Sequence, residues 1–269
     1  MKKLSTSSTL LRRFAAMLAC MVCVVAVPMA VRAQTAEVSA VKINPTTVDV
    51  VFGNERMTFD FYGDNIFRLF QDNSGGIIRD PEATPEARIL VDNPRREVTG
   101  LDVKADGRCV VISTPRIEVS LDKSTRLMTV TDKESGRAVI EQAAAVDFGD
   151  KGVSIALKEE PHEYFYGGGV QNGRFSHKGK IIAIENQNSW TDGGVASPTP
   201  FYWSTKGYGV MWYTFRKGAY DFGATEAGRV ALSHETDYLD LFFMVDATPV
   251  ALLNDYYQLT GNPVLLPKF

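Results

Sequence analysis

The sequence predicts an all-β protein, an antiparallel β-sandwich with one helix near its C-terminus. Residues 116–122 alternate polar and apolar side chains without a break, which is typical of a strand with one solvated face. Comparable short runs recur along the chain, and turn sequences rich in Gly, Asn and Asp separate them. Helical periodicity is almost absent before residue 248. Many short strands punctuated by turns indicate two packed sheets.

The first 33 residues predict a signal peptide. A basic segment containing Lys2, Lys3, Arg12 and Arg13 precedes an apolar run at 14–29 and a small-residue cleavage site at 31–33. A membrane anchor is the alternative, but the apolar run is short and a cleavage site follows it. The sequence therefore favours export to the periplasm or the extracellular space, without a membrane anchor, and a mature chain that begins at Gln34.

The mature chain predicts a series of strands. They are expected at 47–52, 65–70, 110–113, 116–122, 127–132, 209–216 and 238–245, with turns at 63–65, 73–76, 105–107 and 134–136. Cys109 begins an apolar strand and is expected to be a buried, unreactive side chain. Since Cys20 and Cys23 lie within the predicted signal peptide, the mature chain has one cysteine and forms no internal disulfide.

One helix is predicted after residue 247. Thr248 can cap it, Pro249 suits its first turn, and Gly261 can end it. An apolar stripe is expected at Val250, Leu253 and Tyr257. The predicted organisation is a signal peptide at 1–33, a sandwich domain at 34–247, and a helix with a proline-rich exit segment at 248–269.

Charge and composition exclude several classes of function. A formal net charge of −3, with no block of like charge, argues against binding to nucleic acid or to an anionic membrane surface. The three histidines, His162, His177 and His234, lack metal-ligand spacing and are expected in exposed loops. No cofactor is expected.

The most specific stretch for function is the loop at 185–194, which predicts a carbohydrate site. Its candidate residues are Asn186, Asn188, Trp190 and Asp192. An amide or a carboxylate can bind two hydroxyls of one sugar, and an indole can cover the apolar ring face. The alternative is that the Asn and Asp side chains close turns while Trp190 packs on the sandwich.

Two neighbouring patterns have simpler explanations. Residues 166–169, Tyr-Gly-Gly-Gly, lack the Gly-Lys-Ser/Thr sequence that a phosphate cradle requires. We expect these glycines to let the backbone pass close to a neighbouring domain, with Gln171 and Asn172 bonding locally. The rings at 201–203 and 212–213 could form a sugar-stacking platform, but alternate rings on strands usually face the core, and that interpretation is preferred.

The stretch from 164 to 215 resembles the N-terminal, galactose-mutarotase-like β-sandwich domain of family 31 glycoside hydrolases, the α-glucosidase and α-xylosidase family. The matching sequences are at 166–169, 185–194, 200–204 and 207–210, and the helix with the segment at 259–269 fits as well. The resemblance implies a retaining α-glycosidase whose catalytic aspartates lie in a (β/α)8 barrel that follows this domain. No catalytic residue is therefore expected in this chain, which we expect to be cut short before the barrel and inactive alone.

The resemblance also implies how the loop at 185–194 acts. It reaches over the barrel mouth and contacts an oligosaccharide or α-glycoside substrate on the leaving-group side. Two other interpretations stay open, a stand-alone carbohydrate-binding module and, with less support, an aldose-epimerase-like enzyme. In the latter fold a His and a carboxylate interconvert sugar anomers, and the sequence around His177 lacks the Asn and aromatic pattern of such enzymes.

Overall fold

The structure, a computed structural model, describes residues 38–105 and 107–268. Its strands are β1 (Val38–Asn44), β2 (Thr47–Phe52), β3 (Glu55–Gly63), β4 (Ile66–Asp72), β5 (Asp102–Lys104), β6 (Cys109–Ser113), β7 (Ile117–Asp122), β8 (Met128–Asp132), β9 (Arg137–Gly149), β10 (Gly152–Lys158), β11 (Phe165–Gln171), β12 (Ile181–Ile184), β13 (Val195–Ser204), β14 (Tyr208–Trp212), β15 (Gly218–Phe222), β16 (Arg229–His234) and β17 (Tyr238–Val245). One helix, α1 (Pro249–Thr260), follows them. The predicted signal peptide lies outside the described residues.

The strands form two antiparallel sheets that pack face to face, which confirms the predicted β-sandwich. The first sheet has eight strands in the order β1-β2-β3-β4-β17-β14-β13-β11, and the second has nine in the order β12-β15-β16-β10-β9-β8-β7-β6-β5. Strands β1 and β11 are therefore the two free edges of the first sheet. The main core fills the space between the sheets, and alternate residues of each strand point into it.

A second apolar cluster lies on the outer face of the first sheet. Phe201, Met211 and Phe242 are buried there beneath Leu252 and Leu259 of α1. The helix begins and ends where the sequence predicts, since Thr248 Oγ1 accepts a hydrogen bond from the Ala251 amide (3.2 Å). The predicted apolar stripe is wrong, however.

The helix turns a different face to the sheet from the one expected. Val250 and Leu253 are exposed, whereas Leu252, Asp255 and Leu259 are buried. A polar network selects this face, because the Asp255 carboxylate accepts hydrogen bonds from Asn65 Nδ2 (2.7 Å) and Arg96 Nη1 (3.0 Å). Burial of this carboxyl group raises its pKa to about 6.

A segment without regular structure, residues 77–98, crosses the outer face beside the helix; we call it the strap. The Val91 amide donates to the Leu259 carbonyl (2.9 Å), and Gln258 Nε2 donates to the carbonyls of Tyr62 (2.8 Å) and Pro94 (2.7 Å). Ile89 also packs into the outer cluster. The strap and the helix together cover one part of the outer face.

A buried ion pair stabilises the centre of the same face. Arg68 on β4 donates through Nε and Nη2 to both carboxylate oxygens of Asp240 on β17, each at 2.7 Å. The guanidinium also donates to the Arg79 carbonyl (2.9 Å) and lies 4.7 Å from the centre of the Tyr213 ring. Both charges are buried and share two parallel hydrogen bonds. Removal of either side chain would therefore leave the other as an unpaired buried charge.

Candidate functional site

The loop at 185–194 joins β12 to β13 at one end of the sandwich and carries all four predicted site residues. Asn186, Asn188, Trp190 and Asp192 are exposed, and the Trp190 residue is 73% accessible to solvent. The prediction that Trp190 packs on the sandwich, offered as the alternative, is therefore wrong. An indole held in solvent has its apolar face free to contact a ligand.

Hydrogen bonds give this loop a defined shape. Asn186 Oδ1 accepts from the Asn188 amide (3.0 Å), and Asn188 adopts a positive φ of 47°. Asn172 Nδ2, in the turn after β11, donates to the Ser189 carbonyl (2.7 Å), and the Gly193 amide donates to the Asn172 carbonyl (2.9 Å). Asn186 and Asn188 thus form the turn, as the alternative interpretation proposed for such residues.

The Asp192 carboxylate takes no part in those bonds and lies over Gly173 instead. A Cβ atom built on Gly173 would fall 1.4 Å from Asp192 Oδ1, and Gly173 has a φ of 68°. Any larger residue at 173 would push the carboxylate aside. The absence of a side chain at Gly173 therefore leaves room for this carboxylate, which the sequence analysis missed, although the Asn172-Gly173 pair is a common turn signal.

Arg174 links the loop to a groove along the free edge of the first sheet. Its guanidinium donates from Nη2 to the Gly193 carbonyl (3.4 Å) and from Nη1 to the Ile181 carbonyl (2.9 Å). The groove, which we call the β11 groove, has a volume of about 630 Å³ and lies between β11 and the start of α1. Its apolar walls are Tyr166, Phe175, Trp203, Pro249 and Leu252. The loop and the groove form one continuous side of the domain.

The glycine run at the start of this edge brings two strands of the same domain together. Gly167, Gly168 and Gly169 all have positive φ, and a Cβ on Gly169 would lie 2.1 Å from the Ser197 carbonyl oxygen of β13. These glycines therefore let β11 pass close to β13, and their approach to a neighbouring domain stays a prediction. Local bonding by Gln171 is confirmed, since its Nε2 donates to the Gly168 carbonyl (2.9 Å).

Two of the three histidines are buried, so the expectation of exposed loop histidines is correct only for His162. His234 ends β16, where Nδ1 donates to the Arg216 carbonyl (2.8 Å) and Nε2 accepts from the Tyr220 hydroxyl (3.1 Å). Burial lowers its pKa to about 4. His177 Nε2 donates to the Gly167 carbonyl (2.8 Å), and burial lowers the pKa of this imidazole too.

The aromatic strand residues behave as core residues, as preferred from the sequence. Tyr202 and Trp212 are fully buried between the sheets, and Phe201 packs beneath the helix. Trp203 is the exception, because it is only partly buried and stacks on Tyr166. Cys109 is half-buried rather than buried.

The buried carboxylates of the sandwich have structural partners. Asp240 binds Arg68, Asp255 binds Asn65 and Glu163 accepts a hydrogen bond from Ser204 Oγ. Within the described residues, no three His, Cys, Asp or Glu side chains gather as they would around a metal ion. No helix in the described part of the chain is long and apolar enough to span a membrane.

Comparison with known proteins identifies the domain. A family model for the glycosyl hydrolase 31 N-terminal galactose mutarotase-like domain matches residues 56–221. The chain belongs to this family. The resemblance drawn from the sequence at 166–169 and 200–204 is thereby confirmed, and the two-sheet fold agrees with it.

The similar proteins are alpha-xylosidases that are longer than this chain. The chain is 26% identical over 157 residues to alpha-xylosidase XylQ of Lactiplantibacillus pentosus, which covers 56% of this chain and 20% of the relative. It is 32% identical over 108 residues to an alpha-xylosidase of Emericella nidulans, covering 40% of this chain and 14% of the relative. The matched part of the chain thus spans about a fifth or less of the length of these two relatives.

Solved structures share the fold at low sequence identity. A Flavobacterium johnsoniae GH31 dextranase complexed with isomaltotriose has a TM-score of 0.75 at 16% identity, over 86% of this chain and 28% of that chain. A GH31 alpha-xylosidase from a soil metagenome, complexed with xylose, has a TM-score of 0.69 at 16% identity, over 85% of this chain and 35% of that chain. In each case the family 31 sandwich matches one part of a larger enzyme.

Proposed function

We propose that this family 31 sandwich is the N-terminal domain of an exported α-glycosidase and that it completes the substrate pocket of a catalytic barrel. The signal peptide at 1–33 directs export, the sandwich at 34–247 carries the substrate loop, and the helix and exit segment at 248–269 lead to the barrel. The catalytic carboxylates belong to the barrel, so the sandwich itself binds and orients substrate without performing the chemistry.

The observation that carries this proposal is an exposed indole on a loop of fixed shape. Trp190 is presented to solvent by a loop whose backbone is hydrogen-bonded to the turn after β11. A preformed loop loses little conformational entropy when a sugar binds, which favours affinity. Asp192, held over Gly173 beside it, offers two oxygens to sugar hydroxyls.

The role on the leaving-group side predicts a selective loss of activity. In the protein encoded by the complete reading frame, Trp190→Ala or Asp192→Ala should lower kcat/KM for an α-linked disaccharide about ten- to a hundred-fold. For Asp192 the reason is that a hydrogen bond to a charged group contributes about 1.5–3 kcal/mol, available only if the leaving group is a sugar. Trp190→Ala removes the aromatic face on which that sugar would stack. With a p-nitrophenyl α-glycoside, kcat/KM should change by less than about threefold, because the aryl group makes few of those contacts.

A matched control and a second assay test the assignment separately. Asp150→Ala removes an exposed turn carboxylate from the β9–β10 connection and should leave both substrates unaffected. Equal losses on both substrates, with an unchanged Tm, would refute the leaving-group assignment. The 269-residue chain alone should not hydrolyse p-nitrophenyl α-xyloside or α-glucoside, and turnover above a heat-killed control would refute the division of roles. A stop codon after residue 269 would instead favour the stand-alone binding module.

A further inference from the structure

A cavity lies between the two sheets at the end of the sandwich where β4 ends; we call it the β4–β9 cavity. Its volume is about 300 Å³. Met57 on β3 and Gln71 on β4 line it from the first sheet, and Gln142, Val146 and Phe148 on β9 line it from the second. Ligand pockets usually measure about 300–1,000 Å³, so this cavity has room for one small molecule.

Gln71 is a polar residue at a core position of β4. It continues the inward alternation of Phe67 and Leu69, and it is 8% exposed. Its Oε1 atom is buried and has no hydrogen-bond partner among the residues that the structure describes. A buried acceptor without a donor is destabilising, and native proteins seldom keep one. The Gln71 amide is therefore suited to accept a hydrogen bond from a molecule in the cavity.

Strand β9 is deformed where it lines the cavity. Its six residues 142–147 face only the four residues 154–157 of β10, so β9 has two extra residues there. Gln142 holds this bulged segment, since its Nε2 donates to the Ala144 carbonyl (2.8 Å). Such bulges re-aim side chains and are common beside binding sites. Here the bulged segment places Val146 in the cavity lining.

Arg126, in the turn between β7 and β8, lies at the open side of the cavity. It has a φ of 61°, a left-handed conformation that is unfavourable for any residue with a side chain. Its guanidinium donates to the Glu55 carboxylate of β3, and these two partly exposed side chains both line the cavity. The pair thus joins the two sheets at the mouth. Backbone strain that persists beside a pocket is typical of a functional position.

The charged groups of the cavity lining already have partners. The Asp72 carboxylate accepts hydrogen bonds from the amides of Ser74 (2.7 Å) and Gly76 (2.9 Å), and Glu55 is paired with Arg126. An ionic ligand would therefore find no unpaired charge of opposite sign among these groups. The free acceptor and the apolar walls instead suit a neutral molecule with hydroxyl groups and a C–H face, which is the chemistry of a sugar.

We infer that the β4–β9 cavity binds one neutral sugar ring, either a free monosaccharide or the terminal unit of a longer saccharide. One ring hydroxyl donates to Gln71 Oε1, and the C–H face of the ring packs on Phe148. Asn73 and Arg126 bond other hydroxyls at the mouth. This site is separate from the loop at 185–194, because β17 and β14 lie between β4 and β13, a separation of roughly 14 Å. The inference goes beyond the proposed function and does not depend on it.

Maleimide labelling in the protein encoded by the complete reading frame tests this site. Ala145→Cys places a thiol in the cavity lining, and Ala143→Cys, on the same strand but outside the lining, is the matched control. The mass of the tryptic peptide 138–151 reports labelling at either position. D-glucose or D-xylose, at several times its Kd, should slow labelling at 145 by at least about fivefold and leave the rate at 143 unchanged.

Gln71→Met tests the acceptor in the Ala145→Cys background. Methionine has a similar length and no amide, so the sugar concentration that gives half-protection should rise roughly three- to tenfold. The Tm should stay the same or rise, because the substitution removes an unsatisfied buried acceptor. An unchanged half-protection concentration overturns the inference. A large fall in Tm would show that the amide already has a partner, and it overturns the inference too.

Other solutes and variants distinguish a sugar site from general effects. Protection at neither position means that the cavity holds only water. Equal protection at both positions, or by glycerol at the same concentration, means that no sugar ring is recognised; each of these results overturns the inference. Protection by maltotriose as well as by glucose identifies a terminal ring as the ligand, whereas protection by monosaccharides alone identifies a free sugar.

Trp190→Ala separates this inference from the proposed function. Protection at 145 should be unchanged in this variant, whether or not the disaccharide-selective loss of activity appears. Loss of protection in Trp190→Ala would assign the sugar to the loop at 185–194 and overturn the inference.

Discussion

Replacing His234 with Gln should make the sandwich less sensitive to acid. The imidazole is 2% exposed, its ring centre lies 4.7 Å from that of Trp212, and it is neutral when bonded to Arg216 and Tyr220. A glutamine amide can donate and accept in the same two directions, but it cannot take up a proton. The substitution therefore removes the titration while keeping a polar group in place.

The magnitude follows from the pKa of the imidazole. Burial lowers it from 6.5 to about 4, so the unfolded chain binds the proton more readily than the folded one. The stabilising effect of the neutral side chain is fully present above pH 6.5 and is lost as the pH falls through 4. A difference of about 2.5 pKa units corresponds to roughly 3 kcal/mol of unfolding free energy, most of which is lost by pH 4.5.

Urea unfolding at pH 7.5 and pH 4.5 measures this effect. The free energy of unfolding of the parent protein should fall by about 2–3 kcal/mol more between these pH values than that of His234→Gln. The parent and the variant must be compared because the raised pKa of Asp255 makes the folded protein more stable as the pH falls, which is opposite to the effect of His234. His162→Gln, at an exposed histidine, should behave as the parent does. The reasoning is refuted if His234→Gln and the parent lose the same free energy.

Two further substitutions test the packing of the fold. Gly169→Ala should destabilise the protein by clearly more than Gly136→Ala in urea unfolding: both glycines have positive φ, which costs about 1–2 kcal/mol for alanine, but only at 169 does the new Cβ meet backbone. Equal effects would show that β11 can move away from β13. Asp240→Ala leaves the buried Arg68 unpaired, so it should cost about 3–5 kcal/mol and lower the Tm by about 6 °C or more in calorimetry. A fall of less than about 2 °C would mean that water reaches the guanidinium.

Local signals in the sequence predicted the elements that depend on local physics. The strand at 238–245 and the helix that Thr248 caps and Gly261 ends have the predicted bounds. The predicted strand at 209–216 ends earlier, at Trp212, because the chain turns after it to reach the second sheet. Cap and alternation patterns involve neighbours in sequence, so they can be seen without the fold.

Features that depend on distant contacts could not be predicted in this way. The helix buries Asp255 because Asn65 and Arg96 lie opposite it, and neither is close in sequence.

The burial of His234, by contrast, could have been predicted from the sequence, since this residue continues the inward alternation of Val230 and Leu232 on β16.

The candidate site also combines a local feature, which the sequence predicted, with features that depend on distant contacts, which it did not. The turn formed by Asn186 is a local pattern and was anticipated as an alternative. The placement of Asp192 over Gly173 joins two turns that are 19 positions apart, and only the packed structure brings them together. The groove beside them likewise combines residues from β11, β13 and the helix.

The bonds between the strap and α1 determine where the polypeptide can pivot. In the last turn of the helix, the Leu259 carbonyl accepts a hydrogen bond from the Val91 amide, and Gln258 donates one to the Pro94 carbonyl. These bonds tie the end of the helix to the sandwich. Gly261, the first residue after the helix, has a φ of 90°, and a Cβ built there would lie 3.1 Å from Val91 Cγ1. Since the last turn of the helix is tied to the strap, residues 262–268 can change direction relative to the sandwich only at or after Gly261.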